Sequence, residues 1–284
     1  MNKKIVISAD CVCDLPERLI KKYSVHIVPF YVSIRDAIFQ DYTEADLISI
    51  REYLEKDEVI VASIPASVEE YREHFLKLTE NGTKRLLHIS VSSNLSKGYN
   101  NAVKAAEGID GVYVINSEFV SHGMGLFVLA AADLARSNAT IEIILRELEI
   151  VKNRISCSFV FKDTHYVANN NRFSATLSNL MNFFKIKPIL RLKRNELKVT
   201  KFCFGSKMSY VKKYVRKMLR KRKNISDDIL FIAIADSSEE LKKLVYDEVT
   251  RKINWKRICF QDVSATTYCN LGPGSIGIMF YTKK

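Results

Sequence analysis

Residues 92–106 read SSNLSKGYNNAVKAA and follow the apolar run RLLHISV. Ser92, Ser93 and Ser96 therefore stand between a strand signal and a helix signal. Serine hydroxyls donate to an oxyanion, and the N–H groups at a helix start add donors and a partial positive field. Helix capping is the competing explanation, because serine supplies it routinely. Capping suits Ser96 best, whereas the pair Ser92–Ser93 lies ahead of the cap position. These residue types speak for binding a small anion and leave open what the anion is attached to.

Catalytic alternatives find little support. No G-x-S-x-G elbow occurs, and Asn94 stands where an S-x-x-K motif ending at Lys97 would need serine. P-loop and G-x-G-x-x-G fingerprints are absent. Of the histidines at 26, 74, 88, 122 and 165, His88 sits inside an apolar strand, as a core residue would. His122 follows Ser121 near a strand end and is the one placed to act as a base. The six cysteines (11, 13, 157, 203, 259, 269) contain no CxxC pair. Cys11 and Cys13 are either half of a metal site or two small apolar residues in a turn, and reduced thiols are expected.

The elements that must position these serines follow from apolar patterning. With 284 residues, 47% of them hydrophobic and 27% charged, the chain is long enough for two ordinary domains. KKIVISAD, VHIVPFYVSI, EVIVASIP, RLLHISVS and GVYVINS read as strands. Between them DLPERLIKKY, TEADLISIREYLEK, SVEEYREHFLKLTENG, SKGYNNAVKAAEG and GMGLFVLAAADLARSN read as helices. Asp14/Glu17 and Ser67/Glu70 have capping-box spacing, Gly82 suits a helix end and Thr140 a helix start. Apolar strands alternating with helices predict a mainly parallel, Rossmann-like sheet covered on both faces. Ligands then bind at the carboxyl ends of the strands, which the reading places at Asp10–Cys11, Ser63, Ser92–Ser93 and Asn116–Ser117. The fold class expected is α/β with two domains: this one over residues 1–151, and an α+β domain over 152–284 that contains a hairpin turning near Asn195 and closes over the ligand.

Targeting signals are not found. The apolar run after Met1 breaks at Ser8 and Asp10, and GMGLFVLAAADLA is too short to span a bilayer. A soluble, cytoplasmic chain is expected. The net charge of +12 is concentrated: residues 185–223 hold sixteen Lys or Arg and one acid, Glu196. Within them, residues 206–224 predict one amphipathic helix with Tyr210, Tyr214, Met218 and Leu219 on its apolar stripe. Its basic face is either solvated, or docks an acidic partner or an anionic membrane surface. No helix-turn-helix, RRM or KH pattern accompanies it, so nucleic acid would be held by phosphate attraction alone.

Seven motifs in order, ADCVCDLP (9–16), ASIPAS (62–67), SSNLSKGYNNA (92–102), INS (115–117), NNNRFS (169–174), IKPIL (186–190) and NLGPGSIGI (270–278), run nearly end to end. Together they resemble the DegV family of bacterial fatty-acid-binding proteins. The resemblance implies a non-catalytic protein without a cofactor that buries a long-chain fatty acid between two domains. Its carboxylate would lie on the hydroxyls of the Ala62–Ser63 and Ser92–Ser93 loops. Some members present the acyl group to a fatty-acid kinase for phospholipid synthesis, which implies such a kinase as partner. The ligand-binding set carried over is Ala62, Ser63, Ser92, Ser93, Ser96, Arg172, Asn270 and Gly272, with Arg172 and position 270 near the carboxylate and the phosphoryl transfer.

Several positions depart from the family pattern. Cys11-Val12 replaces Ser-Thr, Ala62 a threonine, Lys97 a glycine, Asn116 an aspartate and Asn170–Asn171 a Gly-Gly pair. Asn270 stands where a histidine is usual; asparagine bonds a carboxylate but carries neither proton nor charge. The rival reading is a basic interaction protein docking on nucleic acid or an acidic partner, with a degenerate lipid site. A third is an enzyme using the serine-lined crevice.

Overall fold

The computed structural model describes residues 4–34, 37–41, 61–80, 84–163, 181, 183–235 and 238–283. The expected helix at 43–56, Gly82, and Asn169–Asn171 with Arg172 lie outside the described residues. By contact the chain divides into two units, Met1–Asn153 with Ser264–Thr266, and Arg154–Val263 with Thr267–Lys284.

The first unit runs β1 (Ile5–Asp10), α1 (Glu17–Tyr23), β2 (Val25–Val28), β3 (Phe30–Ile34), β4 (Ala37–Asp41) and β5 (Val61–Ile64). It continues through α2 (Val68–Thr79), β6 (Arg85–Ser90), α3 (Gly98–Ala106), β7 (Val112–Asn116), α4 (Ser121–Arg136) and α5 (Ile141–Arg154). Four strands form a parallel sheet in the order β2-β1-β6-β7. Apolar residues of β1 and β6, Ile7, Ala9, Leu86, Leu87 and Ile89, are buried, as a sheet covered on both faces requires.

The extended run at 25–34 does not stay in that sheet. Pro29 supplies no N–H to a ladder and separates β2 from β3. β3 pairs antiparallel with both β4 and β5 in a second sheet ordered β4-β3-β5. Ser63 on β5 therefore does not end a strand of the parallel sheet, a correction to the sequence reading.

Helix starts divide between spacing that works and spacing that misleads. Ser67 Oγ accepts from Glu70 N (3.1 Å) while Glu70 Oε2 accepts from Ser67 N (2.7 Å), a complete capping box. Thr140 Oγ1 accepts from Ile143 N (3.4 Å) at the head of α5. The Asp14/Glu17 pair forms no such box: Pro16 is the N-cap of α1, and Asp14 is left-handed (φ 52°) with its side chain committed elsewhere.

The second unit contains β8 (Ile155–Val160), β9 (Ile186–Lys193), β10 (Glu196–Phe204), α6 (Lys207–Met218), β11 (Ile225–Ile234), α7 (Glu239–Thr250), β12 (Ile258–Asp262), α8 (Ala265–Leu271) and β13 (Ile276–Thr282). The first two residues of α8 belong to the first unit. The sheet order is β10-β9-β8-β13-β11-β12, antiparallel except for β11–β12. The β9–β10 hairpin turns at Arg194 (φ 51°) and Asn195 (φ 61°), two consecutive positive φ angles of the kind that match the strand twist. In α6, Tyr210, Val211, Tyr214, Val215 and Met218 are buried, which leaves the lysines on the other faces. The molecule is an α/β protein with a parallel sheet and a separate antiparallel-rich sheet.

Candidate functional site

The end of β1 is organised by Asp10, which has no solvent exposure. Tyr71 Oη donates to its Oδ1 (2.6 Å), and Ser90 Oγ and Val91 N donate to its Oδ2 (2.7 and 2.8 Å). Burial raises the Tyr71 phenol well above its ordinary value, so it stays a donor. These bonds tie the ends of β1 and β6 to α2. His88 completes the cluster: its Nδ1 lies 2.7 Å from Ser8 Oγ, and its Nε2 lies 3.2 Å from Asp10 Oδ1 without the alignment of a hydrogen bond.

By residue type Ser8, His88 and Asp10 are a hydrolase triad. All three are fully buried and Asp10 is already saturated with donors, so the cluster holds the sheet together. His122 is likewise buried. Its Nδ1 lies 3.2 Å from Ser121 Oγ, and burial lowers its pKa to about 3, which keeps it neutral.

The Ser92–Ser96 loop springs from β6 directly beyond Asp10. Ser92 is fully buried; its N–H donates to Phe119 O (2.9 Å) and its carbonyl accepts from Leu95 N and Ser96 N (2.9 and 3.1 Å). Ser93 is half-buried. Its Oγ accepts from Asn116 Nδ2 (2.9 Å) and its N–H donates to Asn116 Oδ1 (3.3 Å), the oxygen that also accepts from Glu118 N (2.9 Å). Asn116 thus clamps Ser93 from β7. Accepting that bond orients the serine oxygen.

Ser96 is not the N-cap that the sequence suggests. α3 begins at Gly98 with Lys97 as N-cap, and Ser96 Oγ accepts from Gly98 N (3.1 Å), two residues on. Gly98 is required by space: a Cβ there would stand 2.9 Å from Phe30 Cζ and 3.2 Å from Tyr71 Oη.

The 62–67 segment reaches the same neighbourhood by another route. Asn101 Nδ2, on α3, donates to Ala66 O (2.8 Å), and the Ser67 cap orients α2, whose Tyr71 bonds Asp10. Ala62 and Ser63 are exposed on β5, where Ser63 pairs with Val32. The structure therefore carries Ser92, Ser93 and Ser96 on one loop and bonds Ala66, three residues beyond Ser63, to the helix that follows that loop.

Carboxylates surround this end of the sheet. Asp41 Oδ1 and Oδ2 accept from Ala265 N (3.0 Å) and Thr266 N (2.8 Å), and Asp14 Oδ1 accepts from Ser264 N (3.0 Å). Burial pushes Asp14 up to about 7. Phe30 N donates to Cys11 Sγ (3.2 Å), and the Cys11 thiol points to Asp41 Oδ2 (3.8 Å). Burial and then Asp41 raise the Cys11 thiol well above its ordinary value, and burial takes Cys13 to about 12, so neither is a reactive thiolate at neutral pH. Among the described residues no group of three His, Cys, Asp or Glu side chains has a metal-site arrangement.

Asn270 and Gly272 belong to the second unit. Gly272 adopts a positive φ (73°) where α8 ends, and its N–H donates to Tyr268 O (2.8 Å). Asn270 is half-buried on the last turn of α8, the helix whose first N–H groups Asp41 accepts. Asp41, Tyr71 and Asn101 escaped the sequence reading, which looked for donors to a ligand and not for acceptors that lock the donors' scaffold.

Comparison with known proteins gives matches over nearly the whole chain. A family model described as "Uncharacterised protein, DegV family" matches residues 4–283. A DegV domain-containing protein of Staphylococcus aureus (strain COL) is 26% identical over 289 residues, covering all of both chains. A Thermotoga maritima protein whose structure "reveals fatty acid binding function" superposes with a TM-score of 0.85 at 20% identity, over 99% of each chain. The Streptococcus pneumoniae Fatty Acid Kinase (Fak) B3 protein loaded with linoleic acid gives 0.82 at 16% identity, over 98% of this chain and 99% of that one. At those identities the two structures bear on the fold.

Proposed function

Since the chain belongs to the DegV family, we propose that it is a non-catalytic binding protein for a long-chain fatty acid. The observation that carries the reading is the Ser93 clamp: a half-buried hydroxyl oriented by Asn116 at the sheet's carboxyl end, on the loop leading into α3, whose Asn101 holds Ala66 of the segment that carries Ser63. Ser93 and Ser63 hold the carboxylate, and Ser92 positions the loop from within. Arg172 and Asn270 are assigned to the same carboxylate on the strength of the family resemblance.

Magnitudes favour binding in spite of the departures from the family pattern. Each buried methylene contributes about 0.8 kcal/mol, so a chain with about a dozen gains on the order of 10 kcal/mol before ordering costs. One hydrogen bond nets about 0.5–1.5 kcal/mol, more with a charged partner. Losing the loop threonine and the histidine weakens affinity without abolishing it. Handing the acyl group to a fatty-acid kinase is the finer reading; with Asn270 unable to carry charge, phosphoryl transfer is expected to be slow.

The basic face of the second unit is assigned to docking on an anionic membrane surface. Exposed Phe202 and Phe204 accompany its lysines, whereas the apolar stripe of α6 is used up in the core. Arg216 is committed to Glu248 through two bonds (2.7 and 2.9 Å), and Lys213 and Lys217 donate to the carbonyls of Phe204 (3.0 Å) and Phe202, which holds cations and exposed rings on one surface.

Native mass spectrometry of freshly purified protein, followed by denaturing extraction, tests the binding reading. A stoichiometric fatty acid supports it. A protein that is empty and takes up no added fatty acid overturns it and turns attention to the basic face.

A further inference from the structure

The opposite end of the parallel sheet has no part in that reading, yet it carries a cavity of about 620 Å³. Its wall is made where β1, β2 and β6 begin, α1 and α4 end, and α5 starts. Lys4, Lys22, Lys84, Arg85 and Arg136 line it together with His26, and among the described residues no aspartate or glutamate does. The volume falls within the range of small-molecule sites.

Helix-end electrostatics explain part of this. Lys22 and Arg136 close α1 and α4, where cations meet the negative end of the helix dipole. That does not explain Lys4, Lys84 and Arg85, which lie at strand starts around the same space. Two of the five have carboxylate neighbours outside the wall: Glu80 bonds Lys84, and Glu142 lies 3.8 Å from Arg85. Among the described residues Lys4, Lys22 and Arg136 have no carboxylate within 4 Å. Lys22 and Arg136 both stand over the Tyr23 ring, at 5.6 and 5.3 Å. That ring holds two cations close together beside the cavity. His26 registers the positive surroundings: burial, then Lys84 and Lys77, lowers its pKa. The start of α5, with Thr140 and Ile141 in the wall, adds its helical N-terminus to the same field.

We propose that this cavity binds a di- or triphosphate group, either as free pyrophosphate or as the phosphate chain of a nucleotide. Lys4, Lys22 and Arg136, with no carboxylate within 4 Å among the described residues, repel one another around the cavity until a ligand with several negative charges enters, and a monoanion would neutralise too few of them. The site is separated from the serine loop by the length of β1, about 17 Å for a strand of this size.

Calorimetric titration of the full chain with pyrophosphate, ATP and orthophosphate at about 0.15 M salt tests this. Saturable binding of pyrophosphate or ATP with Kd below about 1 mM, and weaker binding of orthophosphate, is expected. Equal affinity for pyrophosphate and ATP assigns the site to the phosphate chain alone; ATP binding about tenfold tighter or more assigns it to a nucleotide. The variant Lys22→Gln with Arg136→Gln should weaken binding about tenfold or more, while Lys213→Gln with Lys217→Gln on the second unit leaves it unchanged. Ala135→Glu, which adds a carboxylate to the cavity wall, gives the same loss and serves if the double variant fails to fold. Absence of saturable binding, or binding lost only with the second-unit variant, overturns the proposal.

Discussion

Around the carboxyl end of the β2-β1-β6-β7 sheet the organising charges are the carboxylates Asp10, Asp14 and Asp41, each accepting backbone or side-chain donors of the protein itself. At the amino end the charges are lysines and arginines, and among the described residues the wall between them contains no carboxylate. The first arrangement spends its formal charge inward, on scaffold, and leaves hydroxyls to meet a ligand. The second turns its charge toward a cavity. A monoanion with a long apolar tail suits the first, because burial of the tail supplies the free energy and the head group needs only orientation. A compact polyanion suits the second, where electrostatics must supply the affinity. Binding at the first should therefore be nearly independent of salt, and binding at the second should fall steeply with it.

The contrast breaks most sharply at Asp10. Asp10→Ala orphans Tyr71 Oη, Ser90 Oγ and Val91 N–H in a site without solvent. Removing one partner of a buried charged network costs about 3–5 kcal/mol. Chemical denaturation should show that loss, with a smaller one for Asp10→Asn, which keeps an acceptor. A loss below about 1 kcal/mol would mean that the carboxylate does not organise the strand ends.

Titration gives the next largest effect. His122 titrates near 6.5 when unfolded and about 3 when folded, because burial disfavours its charge. Between those values the unfolded chain binds the extra proton, so His122 contributes stability that is present above about 6.5 and lost as pH falls. Asp14 has the opposite sign: burial raises it from 3.8 to about 7, so the folded state holds the extra proton and stability falls as pH rises across that interval. Each proton contributes a slope of about 1.4 kcal/mol per pH unit. Relative to the parent between pH 4 and 6.5, His122→Asn should lower the slope of stability against pH by about one proton and Asp14→Asn should raise it by about one. Unfolding free energies measured across that range decide it; equal slopes in all three proteins would mean neither group is buried as described.

Asp41 and Asp14 mark where sequence reasoning stops. The Ser67/Glu70 box and the buried stripe of α6 were legible because the partners lie within one or two helical turns. The serine loop after β6 was legible because a strand signal and a helix signal bracket it. Asp41 was not, since its partners Ala265 and Thr266 lie more than 220 positions away and are backbone groups, which no residue type announces. Asp14 was misread for a related reason: its spacing to Glu17 suits a capping box, but its left-handed backbone and Pro16 send the carboxylate to Ser264 instead. The basic cavity was invisible because its cations come from four separated places whose local composition is unremarkable. Only the sheet brings Lys4, Lys22, Lys84, Arg85 and Arg136 together.

Ser93 gives a moderate effect that sharpens the comparison. Ser93→Ala removes the hydroxyl clamped by Asn116 and should weaken fatty-acid binding by about 1–1.5 kcal/mol, roughly tenfold. The thermal midpoint should move little, since the residue is only half-buried. Asn116→Ala should produce a similar loss by releasing the same hydroxyl, and the double variant should be little worse than either single one. Competition between a fluorescent fatty acid and unlabelled acid measures all three. Fully additive losses would show that Asn116 acts independently of Ser93.

The smallest effect concerns His26, which faces the amino-end cavity. Burial lowers its pKa first, and Lys84 and Lys77 lower it further. Replacing Lys84 by glutamine removes one cation from the wall and should raise the His26 pKa, measured from imidazole proton shifts across the titration. The carboxyl-end variants Ser93→Ala and Asn116→Ala should leave it unchanged. Pyrophosphate added to the parent protein should raise it beyond the Lys84→Gln value, because a polyanion compensates several cations where the substitution removes one. If Lys84→Gln leaves His26 where it was, burial alone sets the imidazole's titration, and the lysine field at this end of the sheet is screened by water before it reaches the ring.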